Sequence, residues 1–201
     1  MQPDILTTLI ELKEALDRTG IDYMVVGSLA SSAHSLPRAT RDVALIILIT
    51  PQQVKRLAAT LRPKFYVSED AALEAIRQFA SFNAIHEETF YQADLFVMEP
   101  TPFNQAQFER REEIGLDPEN KITMMFQSAE DTVLSKLDWF RQGQEVSERQ
   151  WQDVMGILRA QGDELDLAYM RRWAANLGID DLLQRALETY WPKADSAQGD
   201  L

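Results

Sequence analysis

Apolar residues recur along this chain at two different spacings, and the spacing changes once. Up to about residue 127, stretches with helical spacing alternate with short apolar runs that are typical of strands. Leu9, Leu12 and Leu16 fall on one face of a helix, whereas residues 43–49 are almost wholly apolar, as in a buried central strand. From Ser128 to about Trp191 the apolar spacing is helical throughout. The pattern therefore predicts an α/β part followed by a helical part.

Capping residues and turn signals set the bounds of the predicted elements. In the first part we predict helices over residues 4–18, 30–36, 51–61 and 68–80, and strands over residues 22–26, 43–49, 82–86, 90–98 and 121–126. Residues 101–120 are polar and predicted to be a loop with a helical turn near residues 105–111. Four further helices are predicted to begin near Ser128, Ser147, Asp166 and Asp180. The predicted domains are residues 1–127 and 128–192, with a disordered tail at residues 193–201.

A Gly-Ser turn and an acidic strand start are neighbours in the stretch at residues 23–45, YMVVGSLASSAHSLPRATRDVAL. Gly27 and Ser28 end the first predicted strand, and Asp42 begins the second. Backbone N–H groups and a hydroxyl would lie on one side of such a pocket, with a metal-seeking carboxylate on the other. That combination suits a nucleoside triphosphate carrying Mg²⁺.

Strand geometry relates a later acidic residue to the same pocket. Side chains alternate faces along a strand, so Asp42 and Ala44 point the same way. By the same rule Asp94 shares a face with Gln92 and Phe96. An unpaired buried carboxylate is costly, so a carboxylate within an apolar strand needs a reason. We expect Asp42 and Asp94 to face one cleft; the alternative is that Asp42 caps the preceding loop and Asp94 lies on an exposed sheet face.

These residues resemble the signature of the DNA polymerase β-type nucleotidyltransferases, and more closely that of the small bacterial AbiEii-like toxins of toxin–antitoxin systems. The family pattern is Gly-Ser, a spacer, Asp-x-Asp, and a third Asp on a later strand. Gly27-Ser28, Asp42 and Asp94 (in YQADLFV) match it, but Ala44 stands in the place of the second Asp. The resemblance implies a mixed sheet flanked by helices, followed by a C-terminal helical bundle that covers a nucleotide cleft.

The resemblance also implies roles for individual residues. Asp42 and Asp94 would hold Mg²⁺ with the nucleoside triphosphate, and Gly27 and Ser28 would contact phosphate. Arg38, from the Pro-Arg-x-Thr segment, would lie near the cleft, where a guanidinium can clamp a phosphate.

A lysine and an aspartate of the helical part complete the implied site. Lys136 would point at the triphosphate, although a lysine that follows an acid by four or five residues is also an ordinary feature of a helix surface. Asp153 would orient Lys136 or an arginine; the alternative is that it faces solvent.

Ala44 limits the activity that the sequence supports. Alanine binds no metal, and the loss of a metal ligand removes several kcal/mol of charge stabilisation. We therefore expect little or no transferase activity, with residual binding of the Mg²⁺–nucleotide complex. Natural loss of the active site and an introduced Asp-to-Ala change would both produce this residue, and the sequence leaves open whether the chain is an enzyme.

Three functions follow from this reading. An active relative would transfer a nucleoside monophosphate from a nucleoside triphosphate to a hydroxyl on RNA or on a protein, with an antitoxin as a further partner. The alternative, of a different class, is a non-catalytic module that binds nucleotide or protein on the same fold. A third hypothesis is transfer to a small-molecule acceptor, as in the antibiotic-modifying relatives.

Composition narrows these functions. The net charge of −12 over 201 residues argues against broad, non-specific binding of nucleic acid, which depends on Lys and Arg at phosphates. The chain has no cysteine, so disulfides, thiolate zinc sites and cysteine nucleophiles are excluded. The first residues carry acids where a signal peptide carries bases, and no apolar run approaches the length of a membrane span. We expect a soluble, cytoplasmic protein.

Overall fold

The computed structural model of the chain describes residues 3–36, 40, 42–117 and 121–190. The helices are α1 (Pro3–Thr19), α2 (Gly27–His34), α3 (Pro51–Leu61), α4 (Glu69–Gln78), α5 (Pro102–Glu109), α6 (Ala129–Gln142), α7 (Glu148–Gln161), α8 (Leu167–Leu177) and α9 (Asp180–Tyr190). The strands are β1 (Asp22–Val26), β2 (Asp42–Leu48), β3 (Phe65–Val67), β4 (Ser81–His86), β5 (Gln92–Val97), β6 (Glu112–Asp117) and β7 (Ile122–Phe126). The tail predicted to be disordered lies outside the described residues.

Within the described residues, these strands form one mixed sheet in the order β3-β4-β5-β2-β1-β7-β6. At its centre β2 runs antiparallel to β1 and parallel to β5. The outer pairs β3–β4 and β6–β7 are antiparallel. A mixed sheet flanked by helices and followed by a run of helices is the predicted fold class, which is confirmed.

The described chain divides into two compact units. The first unit holds the sheet, with residues 3–33, 40, 42–117 and 121–128, and the second holds residues 34–36 and 129–190. Each unit has its own buried apolar residues. The predicted domain boundary at residues 127 and 128 stays a prediction.

One face of the sheet packs against helices and the other is partly exposed. Along β2, Val43, Leu45 and Ile47 are fully buried. They join one hydrophobic core with the apolar stripes of α1, α3 and α4. The alternate residues Ala44 and Ile46 are half-buried and Leu48 is exposed, so this face of β2 is less buried than the other.

Several elements differ from the prediction. The helix expected at residues 30–36 begins at Gly27 and ends at His34, because Gly27 itself turns the chain with φ +69°. The predicted loop at 101–120 contains α5 and β6. Thr101 caps α5 by accepting a hydrogen bond from the Asn104 N–H (3.2 Å), and Pro102 takes the first helical position. The short strand β3 was not predicted.

Helix α3 shows how far local signals determine an element. Thr50 and Gln53 form the predicted capping box, in which the Thr50 N–H donates to the Gln53 side chain (2.9 Å). Gln53 also donates to the Gly20 carbonyl (2.9 Å), which ties the start of α3 to the end of α1. In the described part of the chain, no helix is both long and apolar enough to cross a membrane.

A small polar cavity of about 200 Å³ lies at the start of β1. Its lining includes Lys13, Asp17, Tyr23, Arg111 and Glu113. Burial, together with the nearby Asp17 carboxylate, raises the pKa of the Tyr23 phenol to about 12. The folded chain therefore retains this proton at a pH where the unfolded chain has lost it.

This difference predicts a loss of stability in alkali. The stabilisation that the protonated Tyr23 phenol gives to the folded chain is fully present below pH 10, the ordinary pKa of a tyrosine. It is lost as the pH rises toward 12. After allowance for solvent screening at the cavity, we expect a loss of up to about 2 kcal/mol of unfolding free energy. Urea unfolding at pH 9 and pH 11 should show a smaller decrease for Tyr23→Phe than for the unaltered chain. Equal decreases would contradict the assignment.

Candidate functional site

Gly27 joins β1 to α2 and brings the start of this helix next to β2. Its φ of +69° is a conformation that favours glycine. A Cβ built on Gly27 would lie 3.6 Å from the Cβ of Ala44, so the two positions are direct neighbours. Ser28 is the second residue of α2 and is half-buried. The first N–H groups of a helix lack partners within it and are suited to bind an anion.

Ala44 lies at the centre of the candidate site because β2 pairs on both sides. In the strand register, Ala44 is opposite Val26 of β1 and opposite Asp94 of β5. Asp42 is opposite Gln92, two positions earlier on the same strands. The register therefore brings positions 42, 44 and 94 into one patch beside Gly27. The side chain of Asp42 lies outside the described part of the structure.

Asp94 occupies the half-exposed face of β5. Its Oδ1 accepts a hydrogen bond from Nε2 of Gln92 at 2.7 Å. The intervening Ala93 and the following Leu95 are fully buried on the opposite face. The expectation that Asp94 shares a face with Gln92 and is separated from its apolar neighbours is confirmed.

The oxygen donors of this patch are suited to a hard cation such as Mg²⁺, but the set of carboxylates is incomplete. Mg²⁺ is commonly bound by one or two carboxylates together with substrate phosphates. Asp94 and Asp42 supply the carboxylates in the sequence, whereas position 44 supplies only a methyl group. Among the described side chains there is no group of three or more His, Asp or Glu that could hold a metal ion. The residues fit Mg²⁺ only in company with a nucleotide.

Lys136 and Asp153 form a buried ion pair in the second unit. Nζ of Lys136 on α6 donates to Oδ2 of Asp153 on α7 at 2.8 Å. Their side chains are only 8% and 6% exposed. Asp153 thus contacts Lys136 and does not face solvent. The role of Lys136 toward a triphosphate stays a prediction.

Two further residues concern the candidate site: Arg38, which the sequence predicted, and Asn83, which it did not. Arg38 lies outside the described residues, so its place near the cleft stays a prediction. Asn83 was missed: it is exposed on β4 and lies opposite Asp94 in the strand register. The alternation in SFNAIH, which sets Asn83 apart from buried Phe82 and Ala84, is the sequence signal that could have found it.

Comparisons with known proteins bear on the fold. No protein-family model and no curated protein sequence matches the chain. The antibiotic-resistance factor ANT(2'')-Ia, solved in solution, is 11% identical with a TM-score of 0.58 and aligns over 92% of this chain and 99% of its own. Its complex with adenylyl-2''-tobramycin gives 12% identity and a TM-score of 0.57, over 86% and 96% of the two chains.

A third solved structure agrees with these two. An antigenic nucleotidyltransferase-like protein from Paracoccidioides brasiliensis is 20% identical with a TM-score of 0.55, over 94% of each chain. At such low identity the likeness shows the fold and not the activity. The chain has a nucleotidyltransferase-like fold, a mixed sheet flanked by helices with further helices after it.

Proposed function

We propose that this chain binds a nucleoside triphosphate with Mg²⁺ at the patch formed by positions 42, 44 and 94 beside Gly27, and transfers a nucleoside monophosphate to a hydroxyl. The observation that carries this proposal is the register of β2, which aligns Ala44 with Asp94 and with the end of β1. It supports the arrangement expected from the Gly-Ser and Asp motifs. Mg²⁺ would neutralise charge on the phosphates and favour ionisation of the attacking hydroxyl.

The chain's own residues would act as follows. Ser28 and the backbone N–H groups at the start of α2 bind the triphosphate. The acceptor oxygen attacks the α-phosphorus, the bond from that phosphorus to the bridging oxygen breaks, and pyrophosphate leaves. In this proposal the half-exposed Asp94 carboxylate takes the acceptor's proton.

Ala44 lowers the rate of nucleotide transfer that we expect of this chain. With a methyl group where a third carboxylate would stand, we infer that the chain retains nucleotide binding and has little transferase activity. A non-catalytic nucleotide-binding or protein-binding module is the second candidate function, and the same methyl group favours it. The two candidates share a binding site and differ in whether label is transferred.

The acceptor could belong to either of two systems. A toxin of the AbiEii-like kind would modify RNA or a protein and would be opposed by an antitoxin partner. The ANT(2'')-Ia complex holds adenylyl-2''-tobramycin, a nucleotide-modified small molecule, and this supports a small-molecule acceptor here. Transfer of α-phosphate label from each of the four nucleoside triphosphates to total RNA, to the protein itself and to small molecules would distinguish these acceptors.

Asp94→Asn provides the direct test of the binding site. The change removes a charge and preserves the shape of the side chain, so we expect Mg²⁺-dependent affinity for nucleoside triphosphate to fall about tenfold, which corresponds to ~1.4 kcal/mol. Calorimetric titration with and without Mg²⁺ measures it. Asp70→Asn, at an exposed position on α4, is the matched control and should bind like the unaltered chain. Nucleotide binding that is indifferent to both Mg²⁺ and Asp94→Asn would refute the proposal.

A further inference from the structure

The open face of the sheet extends beyond Asp94 onto β4 and β3. In the register Asp94 is opposite Asn83, and Gln92 is opposite Ile85. Ile85 is in turn opposite Tyr66 on β3. Because paired residues share a face, these side chains form one continuous surface next to the candidate site. We call it the outer face and define it by its members: Tyr66, Ser81, Asn83, Ile85 and Gln92.

The outer face has an unusual composition for an exposed surface of an acidic protein. Tyr66, on the three-residue strand β3, is a large aromatic residue that is 63% exposed. Ser81, Asn83 and Gln92 are exposed and offer a hydroxyl and two amides, which both donate and accept hydrogen bonds. No member of the outer face is charged, and the nearest charge on β5 is Asp94 at its border.

This composition selects among acceptors. An RNA strand would need Lys or Arg against its phosphates, and the outer face supplies none while the chain carries a net charge of −12. An aromatic ring presents a partially negative face, on which the C–H groups of a sugar ring can pack. Amides and hydroxyls beside such a ring are suited to sugar hydroxyls. A neutral sugar matches the outer face in both shape and charge.

We propose that the outer face is the acceptor subsite and that the acceptor is a neutral glycoside, one of whose sugar rings packs on Tyr66. The proposal rests on the transferase function proposed above. Neighbouring strands lie about 4.8 Å apart, so β3 is about 10 Å from β5. An acceptor of two or more rings spans that distance. The ring over Asn83 then presents a hydroxyl to Asp94, which takes its proton as the oxygen attacks the α-phosphorus.

Binding of neutral sugars to the full chain tests the proposal without requiring activity. Saturation-transfer NMR and calorimetric titration would use a panel of neutral di- and trisaccharides, including cellobiose, lactose and maltotriose, with decauridylate as the RNA probe. We expect at least one saccharide to bind and decauridylate not to bind. Tyr66→Ala should weaken the saccharide about tenfold, whereas Tyr66→Phe should retain its affinity because the ring is preserved. Phe79→Ala removes a half-exposed aromatic residue at the end of α4 and serves as the matched control.

Three results would overturn the proposal: no saccharide of the panel binds, the saccharide binds equally well to Tyr66→Ala, or decauridylate binds in a manner that depends on Tyr66. Circular dichroism tests whether each variant is folded. Because Tyr66 is exposed, we expect its variants to fold. Nucleotide binding is measured separately on the same samples. Saccharide binding without any Mg²⁺-dependent nucleotide binding would remove the proposed transferase, and with it the acceptor role, while nucleotide binding without saccharide binding would remove only the glycoside acceptor.

Discussion

Ala44→Asp is expected to raise Mg²⁺-dependent nucleotide transfer about a hundredfold, which corresponds to ~3 kcal/mol of transition-state stabilisation. The new carboxylate would stand opposite Asp94 in the strand register. Gly27 is the direct neighbour of position 44 and has no side chain that could clash with the added carboxylate. The assay is transfer of label from nucleoside triphosphates labelled at the α-phosphate.

The stability of the same variant gives a second readout. Two adjacent carboxylates repel each other without a cation, so the melting temperature of Ala44→Asp should fall in the absence of metal. A cation that binds only the folded form should restore it. Ala44→Asn is the matched control, since it adds similar bulk without charge and should show no recovery with Mg²⁺. Folded Ala44→Asp protein that neither transfers label nor responds to Mg²⁺ would exclude a catalytic metal site here and favour the binding module.

Asp153→Ala is expected to lower the free energy of unfolding by about 3–5 kcal/mol, the largest stability effect that we predict. The change would leave the Lys136 ammonium buried without the carboxylate that lies 2.8 Å from it. Replacement of both residues, as Lys136→Met with Asp153→Leu, should cost less than Asp153→Ala alone, because it removes both charges of the pair and leaves neither without its partner. Urea unfolding of Lys136→Met, Asp153→Leu and the double variant measures the coupling between the two residues.

An exposed ion pair of the same unit provides the comparison. Arg141 on α6 donates to both carboxylate oxygens of Asp181 on α9, at 2.5 and 2.6 Å, and both residues are accessible to solvent. Asp181→Ala should therefore leave the unfolding transition almost unchanged. If Asp153→Ala lowers the free energy of unfolding no more than Asp181→Ala does, the prediction of a large effect at the buried pair is wrong. Lys136→Met with normal nucleotide affinity would separately exclude Lys136 from the triphosphate site.

Local signals account for the elements that the sequence predicts well. β1 has the predicted bounds, and α3 begins at the predicted capping box. Such elements carry their information within a few residues, in apolar spacing and in caps. β3 and β6 carry little: β3 has three residues, and β6 is polar apart from Ile114 and Leu116. Both form because β4 and β7 offer them partners, and a single sequence does not contain that pairing explicitly.

The amino-acid sequence was enough to predict the type of most elements, the order of an α/β part and then a helical part, and the motif of Gly27, Ser28, Asp42 and Asp94 with Ala44 as its departure. The folded chain was needed to show that Ala44 is opposite Asp94, that Asn83 borders the site, and that Lys136 pairs with Asp153. A helix cap acts over three or four residues, whereas strand register and a buried ion pair join residues far apart in sequence, and depend on how the whole chain packs.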